Sequence, residues 1–309
     1  MKKWVLKAIV QKTISYLPGS NRINYFFQKY VTKGVYLNDT YFGDRLGHAR
    51  AHLEAYKHYV PGTGLPGTCL EIGTGWYPVV PISFFLAGTT STYSVDISFL
   101  SSKERIFTTL QKFLEWKKTG ALDPYLAPDP ERWAQLEGVV QHYSDLTLDE
   151  VLEKLHLRYL ITDARHLPLP DGSIDLVNSN NTFEHIYPDI LLPILAECMR
   201  LARKNGGIQS HFIDMSDHFA HFDTSISIYN FLRFTDAQWR WIDNRIQPQN
   251  RLRIDDYRQM YAQLGLPISE ETQRPGDLEA LKKLRLARQF AHKPLDVVAA
   301  SHCHFISKM

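Results

Sequence analysis

Leu70-Glu71-Ile72-Gly73-Thr74-Gly75-Trp76-Tyr77-Pro78 decides the fold. An apolar run meets two glycines one residue apart, and a helical stretch follows. A tight strand-to-helix turn needs backbone angles that glycine adopts readily, and glycine also lets a ligand approach the main chain. Pro78 and Pro81 fall in the first turn of the following helix, where a missing N–H costs nothing. Working outward, 69–72 reads as a strand, 79–87 as a helix stopped at Gly88, and 92–95 as a second strand. Further strands are expected at 159–162, 174–177 and 208–213. A helix over 189–203 closes at Lys204-Asn205-Gly206-Gly207, where glycine can take the left-handed cap. Short apolar runs alternating with helices indicate parallel strands joined by crossover helices. The expected class is therefore α/β: a Rossmann-like three-layer α/β/α sandwich with a mostly parallel sheet.

Asp96 closes the second strand about twenty residues beyond the glycines. A carboxylate there can accept both hydroxyl protons of a ribose, so the pattern predicts a nucleoside-bearing cofactor across the carboxyl ends of the strands. A bare Gly-x-Gly fits an ordinary turn equally well; the added aspartate favours the ligand site. A nicotinamide dinucleotide fits poorly, because Pro78 stands where the third glycine of Gly-x-Gly-x-x-Gly would be. Glu71 would also repel phosphates while attracting a cationic amino or sulfonium group.

The prefix 1–67 looks helical, with breaks at Pro18-Gly19 and Gly34, and ends in the turn-rich 61–67. The domain is expected over 68–309, with insertions at about 98–156 and 214–250 acting as lids over the site. Residues 1–17 put apolar groups on one side and lysines on the other. They read as a helix packed on the domain or, alternatively, as a peripheral membrane-surface helix. They are not a membrane span, and the expected location is the cytoplasm, membrane-peripheral on the second reading. Lys and Arg number 35 against 33 Asp and Glu, a formal charge of +2, which argues against nucleic-acid binding by bulk electrostatics. Cys69, Cys198 and Cys303 lie far apart in apolar stretches and read as buried thiols rather than disulfides or a zinc site.

Glu71-x-Gly73-x-Gly75, Asp96, the run from Asp163 to Val177, Asn181-Thr182-Phe183-Glu184-His185-Ile186 and Lys204-Asn205-Gly206-Gly207 together resemble class I S-adenosylmethionine-dependent methyltransferases. The nearest branch is the small-molecule group often labelled type 11, and the resemblance spans roughly 68–213. It implies a seven-stranded sheet with one late antiparallel strand, and S-adenosyl-L-methionine as cofactor. By residue, it implies that Glu71, Gly73 and Gly75 line the methionine end. Asp96 binds the ribose with Ile97 beside the adenine, Asp163 bonds the adenine amino group next to Ala164, and Asn180 or Asn181 sits near the methionyl portion.

Methyl transfer to a hydroxyl needs an aligned nucleophile and a base with a pKa near neutrality. His185, after the fourth strand, and His218 and His221, after the fifth, are the candidates. His218, His221 and Asp223 offer an alternative metal-ligand set, but their spacing matches no metal motif, and no metal is expected. His302 and His304 alternate in a late strand expected within 297–306 and read as sheet residues. A further helix is expected over 251–264. Phe219, Phe222, Tyr229, Phe231, Phe234, Trp239 and Trp241, with Arg233, Arg240, Arg245, Arg251 and Arg253, suggest either an aromatic, cationic lid for a small-molecule or glycan-like acceptor or plain packing. The sequence thus reads as a methyltransferase acting at oxygen. A non-catalytic cofactor-binding partner and a nucleotide-dependent reductase are the rivals, and the oligomeric state is open.

Overall fold

The computed structural model describes residues 2–17, 36–62 and 64–309; the breaks expected at Pro18-Gly19 and Gly34 lie outside the described residues. Seven strands form one sheet in the order β3-β2-β1-β4-β5-β7-β6. They are β1 Thr68–Ile72, β2 Ser91–Asp96, β3 Leu157–Ile161, β4 Leu176–Asn180, β5 Ile208–Asp214, β6 Glu270–Arg274 and β7 His302–Lys308. The first five pair in parallel, and β7 runs antiparallel to both β5 and β6. Strands buried on both faces read as near-continuous apolar runs, which is why β1 was legible.

Period-two alternation divides the core. Cys69 of β1 joins a cluster with Leu176 and Ile208 under α2 (Asp39–Tyr59) and α3 (Val79–Ala87). Leu70, Ile72, Val95 and Val177 face the other way, against Ile194, Cys198 and Leu201. Those three residues belong to the helix Pro188–Leu201. Phe42, Leu46, Ala49, Leu53 and Tyr56 form the buried stripe of α2 at helical spacing. His52 lies on that face too and is fully buried. Asn38 caps the helix by accepting the Tyr41 N–H at 2.8 Å.

The segment 98–156 contains three helices, Lys103–Thr119, Pro130–Gln141 and Leu148–Lys154. Their apolar sides join Phe42 and Leu46 of α2 and Ile82 and Phe85 of α3 in a core of their own, a helical flank rather than a loose cover. The fourth strand runs three residues beyond the expected end, to Asn180, while Ile174 makes only an isolated bridge to Ala202. The expected late strand begins only at His302, since 295–299 is a short helix started behind Pro294.

Of the aromatic and cationic group at 219–253, four rings and two arginines pack inside, while Trp241, Arg233, Arg240 and Arg245 stay exposed. Phe219, Tyr229, Phe231 and Trp239 are buried in a cluster with Trp4 and Ala8 of α1 (Lys3–Ile14). The guanidinium of Arg253 donates to the carbonyls of Met215, Val298 and Ala300. Arg251 donates to those of Phe231 and Phe234 and pairs with Asp236. Both arginines bind chain turns together, so neither is available to an acceptor. The three cysteines are free and buried. No described helix is long and apolar enough to cross a membrane.

Candidate active site

The turn after β1 carries Gly73 at φ +77° and Gly75 at φ +71°, both in the left-handed region. A Cβ at Gly73 would lie 2.4 Å from Thr182 Cγ2, so this position is closed to any side chain. A Cβ at Gly75 would meet nothing within 4 Å, so the main chain there faces open space. The Gly73 N–H donates to the Val95 carbonyl at 2.8 Å, which holds the turn against the end of β2. Asp96 follows directly. Its two oxygens accept long bonds from the Gly75 N–H at 3.4 Å and the Ser98 N–H at 3.5 Å, with the Ile97 N–H also acting on them. Burial raises its pKa, against the pull of those backbone N–H groups. Ile97 beside it is 83% exposed, an apolar surface with no protein cover.

Asp163 stands at the end of β3, exposed and gripped by Arg165 in a forked ion pair at 2.5–3.0 Å. That hydrogen-bonded guanidinium lowers it to about 2. The structure links Asp163 to Asp96 only through the neighbouring backbone, where the Thr162 N–H donates to the Asp96 carbonyl at 3.1 Å. Ala164 packs beside the sheet core.

Glu71 is buried, and its Oε1 accepts from Asn180 Nδ2 at 2.9 Å. Burial pushes its pKa up to about 7, opposed by Thr74, Asn180 and the nearby charge of Arg45. Asn180 continues a polar chain through the sheet. Its Oδ1 lies 3.1 Å from His48 Nδ1 and 3.1 Å from His52 Nε2. His52 Nδ1 meets Ser210 Oγ at 2.7 Å, and Ser210 meets His304 Nε2 at 2.8 Å. One proton order satisfies these four links: both histidines donate to Asn180, Ser210 donates to His52, and His304 donates to Ser210. Arg45 Nη1, 3.2 Å from His48 Nδ1, then finds no acceptor on that nitrogen. Burial keeps these rings neutral, pulling His48 to about 2, His304 to about 4 and His52 well below its usual value.

Beyond this chain opens a cavity of about 540 Å³, lined by Asp44 and His48 of α2, Asn181, Asp214, His221 and His302 among others. Asn181 has φ +53°, a strained setting for a non-glycine residue. Phe212 is sandwiched between His48 and His304, with ring centroids 3.9 and 3.8 Å away. Asp214 Oδ2 lies 3.3 Å from His218 Nε2, and its Oδ1 lies 3.5 Å from His302 Nε2. Although burial raises its pKa, these imidazoles and Ser216 hold it well below the usual range.

The three sequence-derived histidines lie side by side, and of them His221 lines the cavity. The His185 and His218 ring centroids are 4.8 Å apart, and those of His218 and His221 are 5.3 Å apart. His185 Nδ1 donates to the Pro248 carbonyl at 2.7 Å, and burial lowers its pKa to about 4. His221 opens to the cavity with Nε2 3.0 Å from Ser216 Oγ, and partial desolvation of its ring, with His218 beside it, lowers its pKa. The alternative set His218, His221 and Asp223 does not converge. Asp223 turns away to accept the Trp4 N–H at 3.0 Å and the Ser225 N–H at 3.1 Å.

Arg45, His48, Asp214, His302 and His304 were missed by sequence reasoning. For the two β7 histidines a signal existed, because their alternation puts both on one face. Register then sets His302 opposite Asp214 and His304 opposite Phe212. They are sheet residues as expected, and they also line the cavity.

Residues 133–208 match the family model described as a methyltransferase domain. No curated protein matches the chain. Among solved structures, the chain is similar to a putative methyltransferase from Bacillus halodurans C-125 at 13% identity, covering 83% of this chain and 96% of that one, with a TM-score of 0.40. It is also similar to a Burkholderia thailandensis 1,6-didemethyltoxoflavin-N1-methyltransferase at 12% identity, covering 94% and 87%, with a TM-score of 0.45. A third is the geranyl diphosphate C-methyltransferase of Streptomyces coelicolor A3(2), at 10% identity, 90% and 87% coverage and a TM-score of 0.44. The family match lies within the sheet, at residues 133–208, and the sheet itself has the seven strands and the one late antiparallel strand that the sequence resemblance implies.

Proposed function

We propose that this chain uses S-adenosylmethionine to methylate an oxygen of a small polar acceptor, with His221 as general base. The observation that carries the reading is the open main chain at Gly75 beside Asp96, next to a histidine-lined cavity. The residues fit the cofactor: Asp96 keeps lone pairs for the ribose, and Ile97 offers an apolar face to the adenine. Glu71 suits the methionyl ammonium, while Arg45, reaching in from α2, suits its carboxylate. Asn180 fixes the Glu71 carboxyl, and Asn181 stands between the turn and the cavity. Asp163 can reach an adenine amino group only by sharing its carboxylate with Arg165. When bound, S-adenosylmethionine supplies an electrophilic methyl carbon on a sulfonium.

On this reading the domain proper is 68–309, and the prefix 1–67 contributes α2 as one wall of the site. A small-molecule acceptor is favoured over a glycan, because four of the aromatics that could have stacked on a sugar, Phe219, Tyr229, Phe231 and Trp239, are core residues. Among the three histidines, His221 is favoured as base by its exposure and cavity position. A lowered pKa means the ring is already unprotonated at neutral pH and takes up a proton only below the ordinary histidine range. We therefore expect kcat/KM to be flat above pH about 6.5 and to fall in acid. The acceptor is to be found by mass spectrometry of candidates gaining one methyl group. With it in hand, His221→Ala should lower kcat by about 10²–10³ while leaving S-adenosylhomocysteine affinity unchanged. A normal rate in that variant removes His221 as base.

A further inference from the structure

We propose that Glu184, His185 and His218 form a binding site for a borderline divalent cation of the zinc, cobalt(II) or iron(II) type. Glu184 and His185 lie on the short 3₁₀ turn Phe183–His185 directly after β4, and His218 lies in the loop after β5. Because β4 and β5 are paired neighbours, their carboxyl ends bring the three side chains together. One candidate ligand atom from each lies within 4.8 Å of the other two. Ligand atoms around a tetrahedral ion with bonds of about 2.1 Å stand roughly 3.4 Å apart, so closure asks for side-chain shifts on the order of an ångström.

Glu184 supplies the independent observation. It is 3% exposed, and neither carboxylate oxygen makes a hydrogen bond of good geometry, although the backbone N–H groups of Glu184 and Asp214 lie near enough to act on it. A buried carboxyl group so poorly satisfied is costly, and a cation is what such a group lacks. The imidazoles beside it are prepared as ligands. His185 spends Nδ1–H on the Pro248 carbonyl, which fixes the ring and leaves Nε2 as the lone-pair nitrogen. Asp214 Oδ2 stands 3.3 Å from His218 Nε2, at ion-pair distance but without hydrogen-bond geometry, where a carboxylate can back a metal-bound imidazole after a small ring rotation. Two nitrogens and one oxygen favour zinc and its first-row neighbours over magnesium or calcium, which prefer oxygen alone. Three protein ligands also leave a coordination position open, and Asp214 borders the cavity. A hydroxyl bound at that position would be acidified, easing the work of the base at His221. This last role rests on the proposed function; cation binding itself does not.

The test is calorimetric titration of zinc chloride into chelator-treated protein without cofactor or acceptor. One equivalent should bind, and Glu184→Gln and His218→Ala should each weaken binding by at least about 30-fold, with His221→Asn close to the parent. No binding by the parent chain overturns the proposal, as does undiminished binding by the Glu184 and His218 variants. Should those variants fail to fold, X-ray absorption of the cobalt(II)-loaded parent decides. Two imidazoles and a carboxylate on cobalt support the site, and a shell without imidazole overturns it.

Discussion

Between pH 6.5 and 4 the folded chain is expected to lose on the order of 5 kcal/mol of stability, comparable with the whole margin of many domains. Five buried histidines drive this. His48, His52, His185, His211 and His304 all have pKa values depressed by burial, to about 2 for His48, about 3 for His211 and about 4 for His185 and His304. A depressed folded value means the rings are neutral in both states above 6.5, so their stability is intact there. As the pH falls through 6.5, the unfolded chain protonates first, and stability drains until the folded values are reached. Three buried carboxyls oppose the trend. Burial raises Glu71 to about 7, Asp217 to about 6 and Glu184 well above its usual value, so the folded chain holds their protons where the unfolded chain has released them. About two protons net are then taken up on unfolding, each worth about 1.4 kcal/mol per pH unit. Urea unfolding from pH 7.5 to 4.5 measures this directly. Stability that stays level or rises toward acid would show that the histidines are not neutral in the fold.

Replacing Asp96 by Ala should weaken S-adenosylhomocysteine binding about 100-fold, since two hydrogen bonds to an ionised carboxylate are worth about 3 kcal/mol together. Asp96 is suited to this role because its existing contacts, at 3.4 and 3.5 Å to backbone N–H groups, are long enough to yield to ribose hydroxyls. Asp96→Asn keeps the shape and removes the charge, so its loss should be smaller. Titration calorimetry on the three proteins gives the ratios. Equal affinity in parent and alanine variant would take the ribose away from Asp96.

The part of the site built by local chemistry was legible in the sequence. Gly73 and Gly75 announced a turn because only glycine sits comfortably at those angles, and Asp96 announced itself by closing an apolar strand. The polar end of β4 was not legible as strand. Asn178, Ser179 and Asn180 carry no apolar pattern, and they are buried only because neighbouring strands and α2 satisfy them. Asn178 donates to the Leu70 carbonyl, Ser179 meets His211, and Asn180 meets Glu71 and two histidines. Arg45 and His48 were missed for a related reason, since helical periodicity cannot say that a polar residue of the prefix faces the carboxyl ends of strands far along the chain. The aromatic segment could be read either way from its sequence. Its rings and arginines have the composition of a binding surface, yet Phe219, Tyr229, Phe231 and Trp239 pack with α1 and backbone carbonyls consume Arg251 and Arg253.

A crystal structure of the chain with S-adenosylhomocysteine tests the central claim most directly. The account predicts ribose hydroxyls on Asp96, adenine against Ile97, and the amino-acid tail over Gly73 and Gly75 between Glu71 and Arg45. Nucleoside density elsewhere on the molecule, with the space beside Gly75 vacant at saturating ligand, would contradict it.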